Sequence, residues 1–279
     1  MTLKSSYKKA IIGLVRVLIV LLITIIMGFP LFYIGSLSSM NDKEVFKFPP
    51  SFLPEKIIVD NFNHVLNKIP IIRFIINSVT VALSISLLHV VFGSLSGFAL
   101  AKYKFKGRDA ILILFVGTMI VPFFIRMIPI YLMITKMGLV DTYIGLIIPF
   151  CMSGYSIFLM RQFILPIPDE YLDSARIDGA KDIAIFYRII LPLCAAPLAV
   201  LVLFTFVFQW NALLWPLVAT NKVEMRTIAL GLTMLRDEYH TQWNIIAAAS
   251  FIMMIPTITL YFIAQRYMKR GLVLSGVKG

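Results

Sequence analysis

Charge is scarce in this chain. Of 279 residues only 14% are charged, with 14 acids among them, against roughly 25% in an ordinary soluble domain. Cysteine is nearly absent. Cys151 and Cys194 are the only two, both in or beside apolar runs, which excludes a disulfide framework and a thiolate metal site. The three histidines, His64, His89 and His240, lie far apart without ligand spacing, so no metal site is expected. No G-x-x-x-x-G-K-[ST] loop occurs, so the chain has no recognised cradle for nucleotide phosphates. No nucleophile–base constellation is visible either. Apolar residues are abundant instead: 59% of the chain is hydrophobic and the mean hydropathy is +0.90. A soluble fold of this size cannot hide that much apolar surface. A cytosolic enzyme, a disordered regulator and a nucleic-acid module are excluded, leaving a polytopic, all-α membrane protein read as one domain over residues 1–279.

A hydrocarbon core of ~30 Å takes about 20 helical residues to cross. Six stretches nearly free of charge reach or approach that length: Val17–Asn41, Phe74–Ala101, Ala110–Thr135 (broken by Arg126), Thr142–Met160, Ile189–Asn221 and Tyr239–Gln265. The first is too long for a signal-peptide core and lacks an A-x-A site, so it is read as a retained helix. Six spans put both termini on one side. If that side also holds the 102–109 and 161–188 loops, it carries 16 of the 26 Lys/Arg. The positive-inside tendency then makes it cytoplasmic, and the net charge of +12 needs no nucleic acid to explain it. The opposite loops, about 38–70 and 222–242, face outward. Prolines in the spans (Pro30, Pro122, Pro129, Pro149, Pro197, Pro216, Pro256) are read as ordinary membrane-helix prolines rather than gates. Gly93, Gly97 and Ala101, at four-residue spacing, predict close approach of another helix.

One loop does not read as a linker. Residues 165–192 are LPIPDEYLDSARIDGAKDIAIFYRIILP. Pro168 followed by Asp169 and Glu170 favours a helix start. Leu172, Ala175, Ile183, Phe186 and Ile190 recur at helical spacing, and Gly179 interrupts them, which predicts two short helices meeting at a bend. The apolar side of such a pair must be buried. It covers the ends of the spans or the bilayer surface, or it docks to a cytoplasmic partner; physics alone leaves these open.

The run Asp173-Ser174-Ala175-Arg176-Ile177-Asp178-Gly179-Ala180, continuing to Leu191-Pro192, resembles the "EAA" loop of bacterial ABC importer permeases, with Asp173 in place of the usual Glu and Ser174 in place of the first Ala. The resemblance extends along the chain through Pro49-Pro50, Asn61-Phe62, Asn77-Ser78, Lys104-Phe105-Lys106-Gly107-Arg108, Ile128-Pro129-Ile130-Tyr131, Arg161-Gln162-Phe163, Trp210-Asn211, Trp215-Pro216, Gln265-Arg266-Tyr267 and the tail Gly276–Gly279. Their shared order is similar to the second permease of carbohydrate importers, the maltose-permease type.

That resemblance implies six transmembrane helices with a cytoplasmic coupling helix pair between helices 4 and 5, in the bacterial cytoplasmic membrane. It implies a second permease subunit, two cytoplasmic ATPase subunits that bind ATP and Mg, and an extracytoplasmic solute-binding protein; this chain itself takes no cofactor and is not an enzyme. Asp173, Ser174, Ala175, Asp178, Gly179, Ala180 and Phe186 are the implied ATPase-coupling residues, with Gly179 supplying the bend because it carries no Cβ to clash. Gln265, Arg266, Gly276, Lys278 and Gly279 are a second ATPase contact.

Polar and aromatic groups in the spans are candidates for the substrate pathway: Asn77, Tyr131, and Gln209, Trp210 and Asn211 near the middle of the fifth stretch. Hydrogen bonding between helices would explain them equally. Arg126, toward the outer end of its stretch, either snorkels to the interface or binds an anionic sugar or phosphate. Two other readings are an ion-gradient-driven secondary transporter and the same importer type with a polyol or glycerol-phosphate substrate. The former class often shows inverted repeats or deep ionisable residues, and no repeat is visible here.

Overall fold

The computed structural model describes residues 2–236 and 241–275. Every regular element in them is helical: α1 (Thr2–Leu37), α2 (Asp42–Val45), α3 (Asp60–Lys68), α4 (Ile71–Lys102), α5 (Arg108–Ile120), α6 (Phe123–Lys136), α7 (Tyr143–Ile147), α8 (Gly154–Ile164), α9 (Glu170–Ile177), α10 (Asp182–Ile185), α11 (Leu191–Leu193), α12 (Ala195–Trp210), α13 (Leu214–Ala219), α14 (Ile228–Leu232) and α15 (Trp243–Ser275). They form two compact units, Met1–Ile69 with Met234–Met253, and Pro70–Thr233 with Met254–Gly279.

In the first unit, α1 is a long apolar rod. Its stretch Ile11–Leu37 has a mean hydropathy of 2.8 and none of its most apolar window is buried. At ~1.5 Å per residue it is long enough to cross a bilayer. The helix begins well before Val17, so Arg16 lies within the helix rather than ahead of it. Beyond it the chain folds back. Asn61 of α3 donates to the carbonyls of Ser38 (2.9 Å) and Met40 (2.8 Å), and Asn244 of α15 donates to Asn61 Oδ1 (3.1 Å). These buried amides satisfy carbonyls of the turn that follows α1.

In the second unit, α4 is the central post. A Cβ on Gly93 would sit 2.9 Å from Ser156 Cβ, and one on Gly97 2.8 Å from the Arg161 backbone nitrogen. The small-residue spacing therefore lets α8 lie directly against α4, as the sequence predicts. Gly154 performs the same service against the Phe115 carbonyl of α5. One turn before Gly93 on α4, His89 bonds Thr205 Oγ1 of α12 (3.2 Å) and the Phe150 carbonyl (2.8 Å).

Three of the six apolar stretches are not single rods. α5 and α6 meet at 98°, Tyr143–Phe150 and α8 at 49°, and Asp182–Leu193 and α12 at 79°. Among the described residues three helices are long and apolar enough to span alone, and up to six spans result if each bent pair counts as one. Pro30, Pro129 and Pro256 lie inside unbroken helices. Pro122 does not. It starts α6, and Val121 before it is extended (ψ 114°), the conformation a following proline favours.

Candidate functional site

The 165–192 segment forms the expected elbow. Asp169, Glu170 and Asp173 place acids at the start of α9, where the helix dipole favours them. The helix stops at Asp178, and Gly179 turns the chain at φ +79°. The Ala180 N–H returns to the Ala175 carbonyl (2.9 Å) and the Gly179 N–H to that of Arg176 (3.0 Å), the reverse-turn closure typical of helix C-termini. α10 follows, then a π-turn over Phe186–Ile190 and α11. A Cβ on Gly179 would meet nothing within 4 Å. The expectation of a clash is thus corrected: the position needs glycine for its left-handed backbone, not for space.

Arg176 ties the two arms together. Its guanidinium reaches Asp173 of α9 (3.2 Å) and Asp182 at the start of α10 (3.3 Å), and it lies 5.9 Å from the centre of the Tyr103 ring. Asp173 therefore has a basic partner inside the elbow, while Asp178 is exposed and makes no ion pair among the described residues.

The elbow has two faces. Leu172, Ile185, Phe186 and Ile190 are buried in one cluster with Phe98 and Ala101 of α4 and Met160 and Ile164 of α8. The Phe186 ring lies 5.6 Å from that of Phe98. Phe186 is only 2% exposed, so it is a core residue and offers nothing to a partner's surface. Ala175 and Ala180 are half-buried at the edge of the same cluster. The opposite face carries Ser174, Tyr171, Ile177 and Tyr187, all exposed, with Ile177 at 86%. Ile183, which helical spacing placed inward, is also exposed. The break at Gly179 and the extra residue of the π-turn change the phase of the spacing.

Lys102, the last residue of α4, was not singled out by the sequence reading. Its side chain is only 4% exposed. The ammonium donates to the Leu165 carbonyl (3.3 Å), to the Ile167 carbonyl and to Asp169 Oδ1 (2.7 Å). It thus satisfies carbonyls where α8 ends and grips the residue that starts α9. The bond from Lys102 holds the Asp169 carboxyl below the usual carboxylate range, aided by the charge itself. A lowered acid contributes fully above its ordinary pKa and loses the contribution as pH falls through the lowered value. The pair is therefore intact at neutral pH.

The pathway candidates fall in different places. Asn77 is fully buried. It donates to the carbonyls of Glu224 and Arg226 (both 2.8 Å) and accepts from Tyr143 (2.6 Å). Its polar groups are thus engaged in holding the 224–226 turn. The same segment is held by Asp141, whose carboxylate accepts from the N–H groups of Asn221 (2.7 Å) and Lys222 (2.8 Å), and by Ser78, which accepts from the Ile228 N–H (2.7 Å).

Gln209, Trp210 and Asn211 lie at the C-terminal end of α12, not near the middle of a continuous span, because the helix stops there. Trp210 stacks on Phe206 (5.6 Å), and its buried indole N–H has no hydrogen-bond partner among the described residues. Gln209 is buried; Asn211 is exposed and donates back to the Val207 carbonyl (2.8 Å). Tyr131 is half-buried against the cluster around Trp215. Arg126 is exposed on α6 beside exposed Phe124, Ile125 and Ile128. No hydrogen bond or ring contact among the described residues joins Arg126 or Tyr131 to Gln209–Asn211. In α15, Gln265 is half-buried and Arg266 lies over the Tyr267 ring at 4.9 Å. Gly276, Lys278 and Gly279, like His240, lie outside the described residues.

Comparison with known proteins places this geometry in a family. Residues 89–273 match the family described as binding-protein-dependent transport system inner membrane component. The arabinooligosaccharides transport system permease protein AraQ of Bacillus subtilis is 30% identical over 99% of this chain and 100% of its own length. AraQ of Halalkalibacterium halodurans is 35% identical over 82% of each. The sn-glycerol-3-phosphate transport system permease protein UgpE of Rhizobium meliloti is 32% identical over 95% of this chain and 98% of its own. A chain of a bacterial ABC transporter for the import of alginate shares the fold, with a TM-score of 0.78 at 23% identity over 93% of this chain and 97% of that one. A bent, largely helical membrane chain without a nucleotide motif, matched end to end by such permeases, belongs to the binding-protein-dependent transport system inner membrane component family.

Proposed function

We propose that this permease forms half of the pathway for a sugar or oligosaccharide and is driven through its elbow by a separate ATPase. The observation that carries the reading is the division of the elbow into two faces. One face is continuous with the apolar core around α4 and α8. The other presents Ile177, Tyr171, Tyr187 and Asp178 outward. Burying those apolar groups against a partner would contribute about 25 cal/mol per Å². A partner is required because the chain carries no phosphate-binding loop. The relatives named for arabinooligosaccharides support a sugar solute, and the relative named for sn-glycerol-3-phosphate supports the polyol-phosphate variant of the same importer type. In this reading the elbow and both termini are cytoplasmic, two ATPase subunits hold ATP and Mg, a second permease completes the pathway, and a solute-binding protein docks on loops 38–70 and 222–242. Gln265, Arg266 and the tail form a second ATPase contact.

Reconstitution tests this directly. Proteoliposomes holding the chain with its partner permease and ATPase are expected to take up sugar only with ATP. Without the ATPase they are expected to be inert under any imposed ion gradient, and Ile177→Cys is expected to crosslink to the ATPase. Gradient-driven uptake by the chain alone would return the secondary-transporter reading.

A second reading of the solute rests on Arg126, an exposed cation amid the apolar residues 123–130 of α6. If the solute is a phosphorylated or acidic sugar, Arg126→Ala is expected to lower its uptake at least tenfold with assembly in the membrane unchanged, and to leave neutral-sugar uptake within twofold. Equal loss for both solutes would assign Arg126 to structure.

A further inference from the structure

The segment that follows α1 is folded and anchored, yet it turns apolar side chains outward. Ser36 Oγ donates to the Phe52 carbonyl (2.7 Å), and the Ile58 N–H donates to the Ser39 carbonyl (2.9 Å). Lys47 and Glu55 close the intervening loop with an ion pair of 2.6 Å. The Phe52 ring packs against Phe29 (5.8 Å) and Tyr33 (6.0 Å), which stack on each other near the end of α1. Around this anchor Phe46, Phe48, Leu53, Ile57 and Val59 are all exposed, with Phe48 at 94%.

The depth of the anchor follows from helix geometry. At ~1.5 Å per residue, Phe29 lies about 27 Å and Tyr33 about 33 Å beyond Ile11, where the apolar stretch of α1 begins. A hydrocarbon core is ~30 Å thick, so the three rings fall at its far boundary. Counting from Val17, the first residue past Arg16, puts Phe29 about 18 Å and Tyr33 about 24 Å along, in the far half of the hydrocarbon core. On either count Phe52 sits within or at the edge of the bilayer, and the count from Ile11 sets it at the interface, where aromatic side chains gather in membrane proteins. The residues on both sides of it cannot leave the surface.

We infer that residues 46–59 form an apolar collar seated in the lipid interface at the far end of α1, with Phe48 inserted among the lipids. Continuity with the lipid-facing helix selects lipid as the occupant of 46–59 over a protein partner, which leaves the rest of loop 38–70, with loop 222–242, to the solute-binding protein. Charge adds nothing to the attachment. Lys43, Lys47, Lys56 and Lys68 of segment 38–69 are matched by Asp42, Glu44, Glu55 and Asp60. The seat is apolar, and it does not depend on anionic headgroups.

The test uses the complete importer in lipid nanodiscs. A nitroxide is placed at Phe48→Cys in a Cys151→Ser background, where buried Cys194 stays unlabelled. Labels at Val20→Cys in α1 and Lys43→Cys in α2 serve as hydrocarbon and aqueous references. The ratio of oxygen to nickel-chelate accessibility is expected to be several-fold above that of the Lys43 label and below that of the Val20 label, and to stay unchanged at high salt. A ratio equal to that of the Lys43 label would place the collar in water and overturn the inference. Low accessibility to both reagents would assign the surface to a protein partner and overturn it equally. A ratio that collapses at high salt would make the attachment electrostatic, against the apolar seat.

Discussion

Gly179→Leu is expected to cut sugar uptake about tenfold while ATP hydrolysis by the assembled complex continues. The reason is conformational. Gly179 sits at φ +79° with open space around its missing Cβ. An L-residue held there costs roughly 1–2 kcal/mol, and ~1.4 kcal/mol is tenfold in the population of the bent form. The series of substitutions separates this cause from crowding. Asparagine tolerates the left-handed region, so Gly179→Asn is expected to keep most uptake. Alanine should be intermediate, and leucine and valine worst. A steric site would rank by side-chain volume, making asparagine nearly as damaging as leucine. Parallel measurement of uptake and hydrolysis in proteoliposomes decides between the two. A fully active, well-assembled Gly179→Leu complex would remove the bend from the coupling mechanism.

The second large effect is expected at Lys102. Lys102→Met keeps the length of the side chain and removes its charge and donors. The carbonyls of Leu165 and Ile167 then lose a partner in a largely enclosed site. Leaving such groups unsatisfied costs about 1–3 kcal/mol. That is enough to loosen the start of α9 from the ends of α4 and α8, and uptake is expected to fall about tenfold, with faster proteolysis within 165–182. Asp169→Asn should be milder. Asp169 is 73% exposed, so its ion pair is screened by solvent and contributes little. Lys102→Arg is expected to recover part of the loss. An equal defect in Asp169→Asn and Lys102→Met would make the ion pair, not the carbonyls, the anchor.

Composition and periodicity made much of this fold legible. Hydrocarbon-length apolar stretches, the glycine seam of α4 and the bend at Gly179 all depend on residues close in sequence, and those signals survive in a linear reading. The breaks did not show. A hydropathy window measures how apolar a stretch is and carries no information about chain direction, so α5 and α6 read as one span although they meet at 98°. Pro122 was visible but looked like Pro129, which sits inside an unbroken helix.

Long-range partners were hidden for a related reason. Asn77 read as a pathway amide because the carbonyls that engage it lie in residues 224–226. Lys102 was counted only as one more cytoplasmic cation, since its acceptors lie more than sixty residues onward. Ile183 was misplaced because helical spacing was carried across a break and toward a π-turn.

The shared core beneath the elbow limits how permeases of this kind can be recombined. Leu172, Ile185 and Phe186 interlock with Phe98, Met160 and Ile164, and close-packed interiors tolerate volume changes poorly. A graft of the elbow alone from a relative would import one half of a jigsaw. To redirect the chain toward a foreign motor, the transplant must include its bedding in α4 and α8, or be confined to the outward side chains such as Tyr171, Ile177 and Tyr187.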